Sequence, residues 1–146
     1  MSVTAPRGFV AGGVAAGIKA GGDPDLSLVA TADGRAVPAA GVFTTNLMTA
    51  APVLVSRDHL AATGGRAAAV VMNSGNANAA TGATGRAHAE ETCAAVAEGV
   101  GCDPAEVLVG STGLIGIPLP IEPLLAGVPA AVASLAATPE GGAAAA

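Results

Sequence analysis

AAAVVMNSGNANAATGATG, residues 67–85, is the stretch that decides the fold class of this chain. Its first part, residues 67–72, is an unbroken apolar run, which is typical of a central strand covered on both faces. Residues 73–85 are polar and predict a loop, and a helix is expected over roughly residues 84–98. A buried strand that leads through a polar loop into a helix indicates an α/β domain, in which such loops carry binding and catalytic sites.

The segments before this stretch are predicted to be mainly extended. Asp33-Gly34 suits a tight hairpin turn, because glycine adopts positive φ without a steric penalty. Ser56 is predicted to cap the N-terminus of a short helix over residues 57–62. The extended segments are a glycine-rich stretch at residues 8–18 and three strands, at residues 26–30, 37–43 and 52–55, with the Asp33-Gly34 turn joining the first two strands.

The segments after it alternate between strand and helix. Asp103 and Pro104 predict a single helical turn, since aspartate caps a helix and proline fits its first position. Residues 107–109 predict a second buried strand, and residues 121–137 a mostly helical segment interrupted at Pro129. The whole pattern predicts the α/β class, with a layered mixed-sheet domain and flanking helices.

The domain organisation follows from the C-terminal end of the sequence. Residues 1–137 carry the predicted strands and helices, and residues 138–146 form a tail that ends in a run of alanines without a C-cap. Alanine is the best helix former, so we interpret the tail as a helix that is cut short.

The composition predicts a core of small side chains. The chain has 146 residues and is 51% hydrophobic, but only 1% aromatic. Alanine, valine and leucine bury less apolar area than aromatic residues, and the hydrophobic gain is only about 25 cal/mol per Å². We therefore expect a marginally stable domain that completes its core against further chain or a second subunit.

Charge and missing motifs exclude several classes of function. The net charge is −5 and the six Lys and Arg residues are scattered, which argues against nucleic-acid binding. Cys93 and Cys102 lack any zinc spacing, so free thiols in a reducing compartment are expected. Prolines interrupt the weakly charged residues 107–139 too often for a membrane-spanning helix. We predict a cytoplasmic protein without a metal site, nucleic-acid partner or membrane partner.

Two loops at the ends of predicted buried strands are the candidate sites. Asn73, Asn76 and Asn78 lie among small residues, and their amides either bind a polar substrate or fix a tight turn through local hydrogen bonds. Thr112 and Gly113 offer a hydroxyl beside a glycine N–H at a strand end, as an oxyanion hole requires. An ordinary strand-to-loop turn is the alternative for the second loop.

Five motifs in order give the sequence a resemblance to the ornithine acetyltransferase family, the bifunctional glutamate N-acetyltransferases of arginine biosynthesis. The resemblance spans roughly residues 6–135. Its motifs are Gly8-Phe9 with Ala16-Gly17-Ile18-Lys19, Gly41-Val42-Phe43-Thr44-Thr45-Asn46, Ala51-Pro52-Val53, residues 73–79 with Thr81-Gly82, and Ser111-Thr112-Gly113-Leu114-Ile115-Gly116.

The resemblance implies a self-processing enzyme. Members of this family cleave one precursor into an α and a β chain, which pair into an α2β2 heterotetramer. The new N-terminal threonine of the β chain carries the acetyl group from N-acetylornithine to glutamate. Some members also accept acetyl-CoA, and no other cofactor is implied. Thr112 and Gly113 match the family's oxyanion pair, the threonine through its hydroxyl and the glycine through its N–H.

The sequence departs from the family at the nucleophile. No Lys-Gly pair with an Ala-Thr cleavage junction is present, and Lys19 is the only lysine. We therefore predict part of an α chain without its nucleophile, which transfers no acetyl group alone and exposes its partner interface as apolar surface. The alternative is an inactive remnant that binds at most a small ligand or a subunit.

Overall fold

A computed structural model describes residues 2–146 as one sheet packed against helices. Small and aliphatic side chains occupy most positions of the strands, and glycines occur in the first and the last strand of the main sheet. In chain order the elements are β1 (Phe9–Val14), β2 (Leu26–Thr31), β3 (Val37–Pro38), α1 (Ala51–Ala62), β4 (Arg66–Ala67), β5 (Ala69–Asn73), α2 (Gly82–Val100), a 3-10 turn (Pro104–Glu106), β6 (Val107–Ser111), α3 (Ile121–Ala133) and α4 (Pro139–Ala144).

The main sheet has the strand order β1-β2-β5-β6 and is mixed. β1 and β5 both run antiparallel to β2, whereas β6 runs parallel to β5. Leu28 pairs with Val71, which in turn pairs with Val109, so the apolar residues of the three strands are in register. This arrangement confirms the predicted mixed-sheet α/β class with flanking helices.

One face of the sheet forms the core, and it is built from small and aliphatic residues. Leu28, Val71 and Val107 are completely or almost completely buried under α2 and α3. The helices pack closely because glycines replace larger residues: a Cβ on Gly99 would lie 2.7 Å from Val132 Cγ2. The described core residues include no aromatic side chain.

The opposite face of the sheet is open along β5, although α4 covers it at β1, and this corrects the expectation for residues 67–72. Burial alternates along β5, and Val70 and Met72 are 37% and 48% exposed. The strand is therefore covered on one face only, because the helices α2 and α3 lie on the other side. We call the side of the sheet that carries Val70 and Met72 the open face.

The edge of the sheet at β6 is closed by α1. Ser56 Oγ donates to Val109 O at 2.8 Å and accepts from Val109 N–H at 2.9 Å, while His59 Nδ1 lies 2.8 Å from Val107 O. The expected strand at residues 52–55 is wrong, since α1 begins at Ala51 with a proline in its first turn. Ser56 therefore lies inside α1 and is not its N-cap.

The predicted hairpin is also wrong. Asp33 and Gly34 do form a turn, with Gly34 at φ +70°, but β2 pairs with β1 and β5 instead of the following strand. Only Val37–Pro38 of the expected strand 37–43 is extended, and it pairs with β4. Residues 39–49 are irregular because they find no strand partner among the described residues.

The C-terminal helices differ from the expectation at their ends. Asp103 caps the 3-10 turn through a capping box, as predicted. α3 continues through Pro129 and ends at Ala133, so the proline does not interrupt it. The tail contains α4, which packs against β1: a Cβ on Gly13 would lie 1.9 Å from Ala144 O. The division at residue 138 stays a prediction.

Among residues 2–146, the helices are all too short or too polar to cross a bilayer.

Candidate active site

The two candidate loops meet at the carboxyl ends of the parallel strands β5 and β6. Asn73 pairs with Ser111 at the last position of the parallel register. We call residues 73–79 the asparagine loop and residues 111–116 the oxyanion loop. The Thr112 N–H donates to Asn73 O at 3.0 Å, and the Ala77 N–H donates to Leu114 O at 2.9 Å. Backbone hydrogen bonds therefore join the two loops, which lie nearly forty residues apart in the sequence.

Gly113 lies where the two loops leave no room for a side chain. Its φ is +132°, and residues other than glycine rarely adopt this backbone conformation. A Cβ on Gly113 would lie 2.4 Å from Gly75 C and 2.6 Å from Asn76 N. Both the conformation and the contact require glycine at this position.

The amide side chains of the asparagine loop hold its own backbone and that of its neighbour. Asn73 Nδ2 donates to Asn76 O at 2.8 Å, and Asn76 Nδ2 donates to the carbonyls of Ile117 and Pro118 at 3.2 Å. Asn73 and Asn76 are 4% and 6% exposed. The Asn73 bond is local, as in the turn interpretation of the asparagines, whereas Asn76 bonds to a segment about forty residues further along the chain.

Asn78 links the same loop to α2 and to β6. Its Nδ2 donates to Gly85 O at 2.8 Å, and its Oδ1 accepts from Thr81 Oγ1 at 2.6 Å. Its backbone N–H donates to Ser111 Oγ at 2.9 Å, and that hydroxyl donates to Asn76 O at 3.0 Å. These hydrogen bonds hold the oxyanion loop against the asparagine loop. A direct contact between a substrate and any of the three asparagines stays a prediction.

Thr112 and Gly113 present free hydrogen-bond donors. Both residues are exposed. None of the hydrogen bonds within residues 2–146 uses the Thr112 hydroxyl or the Gly113 N–H. Thr112 lines a cleft of about 490 Å³ that also borders Ser74 and Ser111. Both donors are therefore exposed to a ligand, and neither is used in a hydrogen bond within the described residues.

Asp25 belongs to the same cleft, and the sequence analysis missed it. Its buried carboxylate accepts from the N–H groups of Ala16, Ile18 and Lys19 at 2.6, 2.6 and 2.8 Å. Its carbonyl accepts from the Ser74 N–H at 2.8 Å. Asp25 thus ties the segment after β1 to the asparagine loop. No short motif reveals a carboxylate whose partners are backbone groups six to nine residues earlier.

Lys19 also borders the cleft. Its Nζ donates to Pro24 O at 2.9 Å, and its stem lies against the asparagine loop, where a Cβ on Gly75 would be 2.9 Å from Lys19 Cγ. The sequence offered one signal for it, because Lys19 is the only lysine and stands in a motif of the resemblance.

The thiols lie outside this site and are poor nucleophiles. Cys93 is buried beneath β6, and burial raises its pKa to about 12, with the Glu90 charge adding to the effect. Burial also raises the pKa of Cys102. Both cysteines are free, as predicted. Within the described part of the chain, no group of His, Cys, Asp and Glu is arranged to hold a metal ion.

Comparison with known proteins gives consistent matches. The model of the ArgJ family matches residues 10–146. The arginine biosynthesis bifunctional protein ArgJ of Streptomyces avermitilis is 53% identical over 135 residues, which is 92% of this chain and 34% of that protein. The ArgJ protein of Gloeobacter violaceus is 53% identical over 120 residues, 82% of this chain and 29% of that protein. The chain thus spans about a third of the length of these relatives.

Two solved structures share the fold over nearly the whole chain. Ornithine acetyltransferase from Mycobacterium tuberculosis, complexed with ornithine, superposes with a TM-score of 0.92 at 48% identity, covering 99% of this chain and 76% of that one. The arginine biosynthesis bifunctional protein ArgJ from Bacillus halodurans gives a TM-score of 0.91 at 35% identity, covering 99% and 72%.

Proposed function

Because the chain belongs to the ArgJ family, we propose that it is part of an acetyltransferase of arginine biosynthesis, one that moves an acetyl group from N2-acetylornithine to glutamate. The observation that carries the proposal is a pair of free donors, the Thr112 hydroxyl, which lines the cleft, and the N–H of the next residue, Gly113. An acyl transfer needs such donors where the carbonyl oxygen gains negative charge.

The oxyanion pair acts through prior orientation. Thr112 is held by its N–H bond to Asn73, and Gly113 is held by its contact with Gly75. Donors that are already aimed need no reorganisation when the tetrahedral intermediate forms, and one such donor contributes roughly 10²–10³ in rate. The asparagine network supplies the rigidity on which this orientation depends.

The nucleophile in this proposal is a threonine that self-cleavage of a longer precursor leaves at the start of a β chain. Its hydroxyl attacks the acetyl carbonyl of N2-acetylornithine while a neighbouring amine accepts the proton, and the intermediate collapses by breaking the amide C–N bond, so that ornithine leaves with that proton on its amine. The amine of glutamate then attacks the acetyl ester of the enzyme, which forms N-acetylglutamate and returns the proton to the threonine hydroxyl. Residues 1–146 alone are therefore proposed to be inactive. Acetyl-CoA as a second donor stays a prediction, as does the cytoplasmic location.

The open face supports the proposed pairing with a β chain in an α2β2 assembly. Val70 and Met72 expose apolar surface on this face, and Leu114 and Ile115 of the oxyanion loop are 65% and 68% exposed. Clustered apolar side chains around a candidate site are typical of a surface that another chain covers.

The test joins residues 1–146 to the part of the Streptomyces avermitilis protein that lies beyond the matched region. We expect self-cleavage into two chains and acetyl transfer from N2-acetylornithine to glutamate. Thr112→Ala should lower kcat roughly 10²–10³-fold, while Thr112→Ser, which keeps the hydroxyl, should retain most of it. Absence of transfer in the unsubstituted fusion, or transfer by the isolated 146 residues, would contradict the proposal.

A further inference from the structure

Ser111 and Thr112 are neighbouring residues at the end of β6, and the structure uses their hydroxyls differently. Ser111 Oγ accepts from the Asn78 N–H at 2.9 Å and donates to Asn76 O at 3.0 Å. Its proton and one of its lone pairs are thus committed to the backbone of the asparagine loop. The hydroxyl of Thr112, by contrast, has no hydrogen bond within residues 2–146. One hydroxyl is therefore available to a ligand, while its neighbour holds the loop.

The hydrogen bond between Ser111 and the Asn78 N–H has no substitute among the described residues. Asn76 O accepts a second hydrogen bond from Asn73 Nδ2 at 2.8 Å, so it would keep a partner without Ser111. The Asn78 N–H donates only to Ser111 Oγ, and Asn78 is 2% exposed. A buried N–H without an acceptor is costly, so the asparagine loop would have to move if the hydroxyl were lost.

The asparagine loop in turn determines where the oxyanion pair lies. The Thr112 N–H donates to Asn73 O at 3.0 Å, and beyond the pair the Leu114 N–H donates to Gly75 O at 3.3 Å. These two backbone bonds hold the pair against the asparagine loop on either side. The direction of its donors therefore depends on how this loop is placed relative to β6. Ser111 is the described residue of β6 whose side chain bonds to the loop.

We propose that Ser111 is a positioning residue, whose hydroxyl holds the asparagine loop to β6 and thereby sets the direction of the Thr112 hydroxyl and the Gly113 N–H. The inference rests on the proposed acetyl transfer, because in that reaction these donors meet a developing negative charge. Their direction matters, since a hydrogen bond weakens steeply when its angle is distorted. Ser111 does not contact the substrate in this assignment, and its proton stays on the hydroxyl.

Kinetics of the fusion described above test the assignment. Ser111→Ala should lower kcat roughly 10-fold and change KM for N2-acetylornithine less than about twofold, because the donors act on the transition state more than on the bound substrate. Ser111→Thr, which keeps the hydroxyl, should recover most of the rate.

Ser56→Ala is the matched control, because it removes the same kind of hydrogen bonds from the same strand. Ser56 Oγ bonds to the N–H and the carbonyl of Val109 at 2.9 and 2.8 Å, outside the oxyanion loop. Ser56→Ala should therefore leave kcat within about twofold of the unsubstituted fusion.

A double substitution separates positioning from a general loss of structure. If Ser111 acts through the oxyanion pair, Ser111→Ala should lower kcat only about two- to threefold when Thr112→Ala has already removed the threonine hydroxyl. A general structural defect would lower kcat by the same factor in both backgrounds. That equal factor, a rise in KM in place of the fall in kcat, or a kcat of Ser111→Ala within about twofold of the unsubstituted fusion would each overturn the assignment.

Amide hydrogen exchange of the full 146-residue chain gives a readout that needs no catalysis. Ser111→Ala should accelerate exchange roughly 10-fold at the Asn78 amide, which loses its acceptor, and at the Thr112 amide, which is bonded to the displaced loop. Ser56→Ala should change neither amide. Unchanged exchange at Thr112 would overturn the assignment even if Asn78 responded. A fusion without transfer activity would contradict the proposed function, whereas exchange at Thr112 would still decide whether Ser111 positions the loop.

Discussion

At the scale of single residues, Gly113 is the position of the candidate site where we expect a substitution to be most destabilising. Alanine there combines an unfavourable φ of +132° with a contact of 2.4 Å to Gly75. We expect Gly113→Ala to lower the free energy of unfolding by about 2–4 kcal/mol, because strain and a steric clash add. Gly101→Ala is the control, since Gly101 also has positive φ at the end of α2 but nothing within 4 Å of its Cβ position. It should cost only about 1 kcal/mol. Urea denaturation measures both, and equal losses would contradict the role of the close contact.

The buried thiol of Cys93 predicts how the free energy of unfolding changes at alkaline pH. Its pKa is raised to about 12 in the folded chain, first by burial, whereas the unfolded thiol keeps its ordinary value of 9.0. The stabilisation is therefore complete below pH 9 and is lost as the pH rises toward 12, because the unfolded chain releases this proton first. Between pH 8 and pH 10 the wild type should lose about 1 kcal/mol more than Cys93→Ala. Parallel pH profiles of the two proteins in urea unfolding would contradict the assignment.

At the residue scale, the sequence locates the two candidate loops, whereas the roles of their residues stay predictions. The asparagine loop and Thr112-Gly113 stand out because small polar residues follow apolar runs and because both loops match motifs of the family resemblance, and the structure brings the two loops together. Asp25 was missed because its function depends on backbone groups of the preceding turn. Which donors remain free is likewise a property of the folded backbone, so the sequence could nominate Thr112 but could not establish its exposure.

At the scale of elements, α1 substitutes for a missing strand beside β6. Ser56 satisfies both the N–H and the carbonyl of Val109, and His59 bonds to Val107 O. Ser56→Ala leaves two backbone groups of the edge strand without this partner, so we expect a loss of about 1–3 kcal/mol in unfolding free energy. Hydrogen exchange at the Val109 amide should accelerate as well. Arg57→Ala, on the exposed side of the same helix, should change stability by less than about 0.5 kcal/mol; a similar effect of both substitutions would contradict the bridging role.

The elements that the sequence misassigned are those whose identity depends on their partners. Residues 52–55 are apolar and short, so periodicity could not distinguish a strand from the first turn of α1. The segment 37–43 has strand-forming residues but pairs only at Val37–Pro38, because the neighbouring edges are already occupied by β1 and β5. The continuous run at 67–72 predicted two covered faces, and the described chain supplies a cover for one.

At the scale of the whole molecule, the chain combines a well-packed core with a second sheet face that α4 covers only at β1. The low aromatic content already indicated that further surface must be buried, and Val70 and Met72 place that surface on the open face. A β chain that covers the open face would also enclose the cleft, since Met72 lines the cleft from this side. Assembly and chemistry are then coupled through one surface.

If assembly and chemistry depend on one surface, a charge placed on the open face should disrupt both. Val70→Lys should leave the isolated chain folded, because the side chain is 37% exposed, and should reduce its self-association. In the fusion the same lysine would be buried against the β chain without a partner, which costs several kcal/mol. We therefore expect loss of the α2β2 species in light scattering together with loss of transfer. Val42→Lys, at a fully exposed position in the irregular segment before α1, should affect neither. If Val70→Lys assembled and reacted normally, the open face would not be the surface that the β chain covers, and the exposed residues of the oxyanion loop would have to form that interface instead.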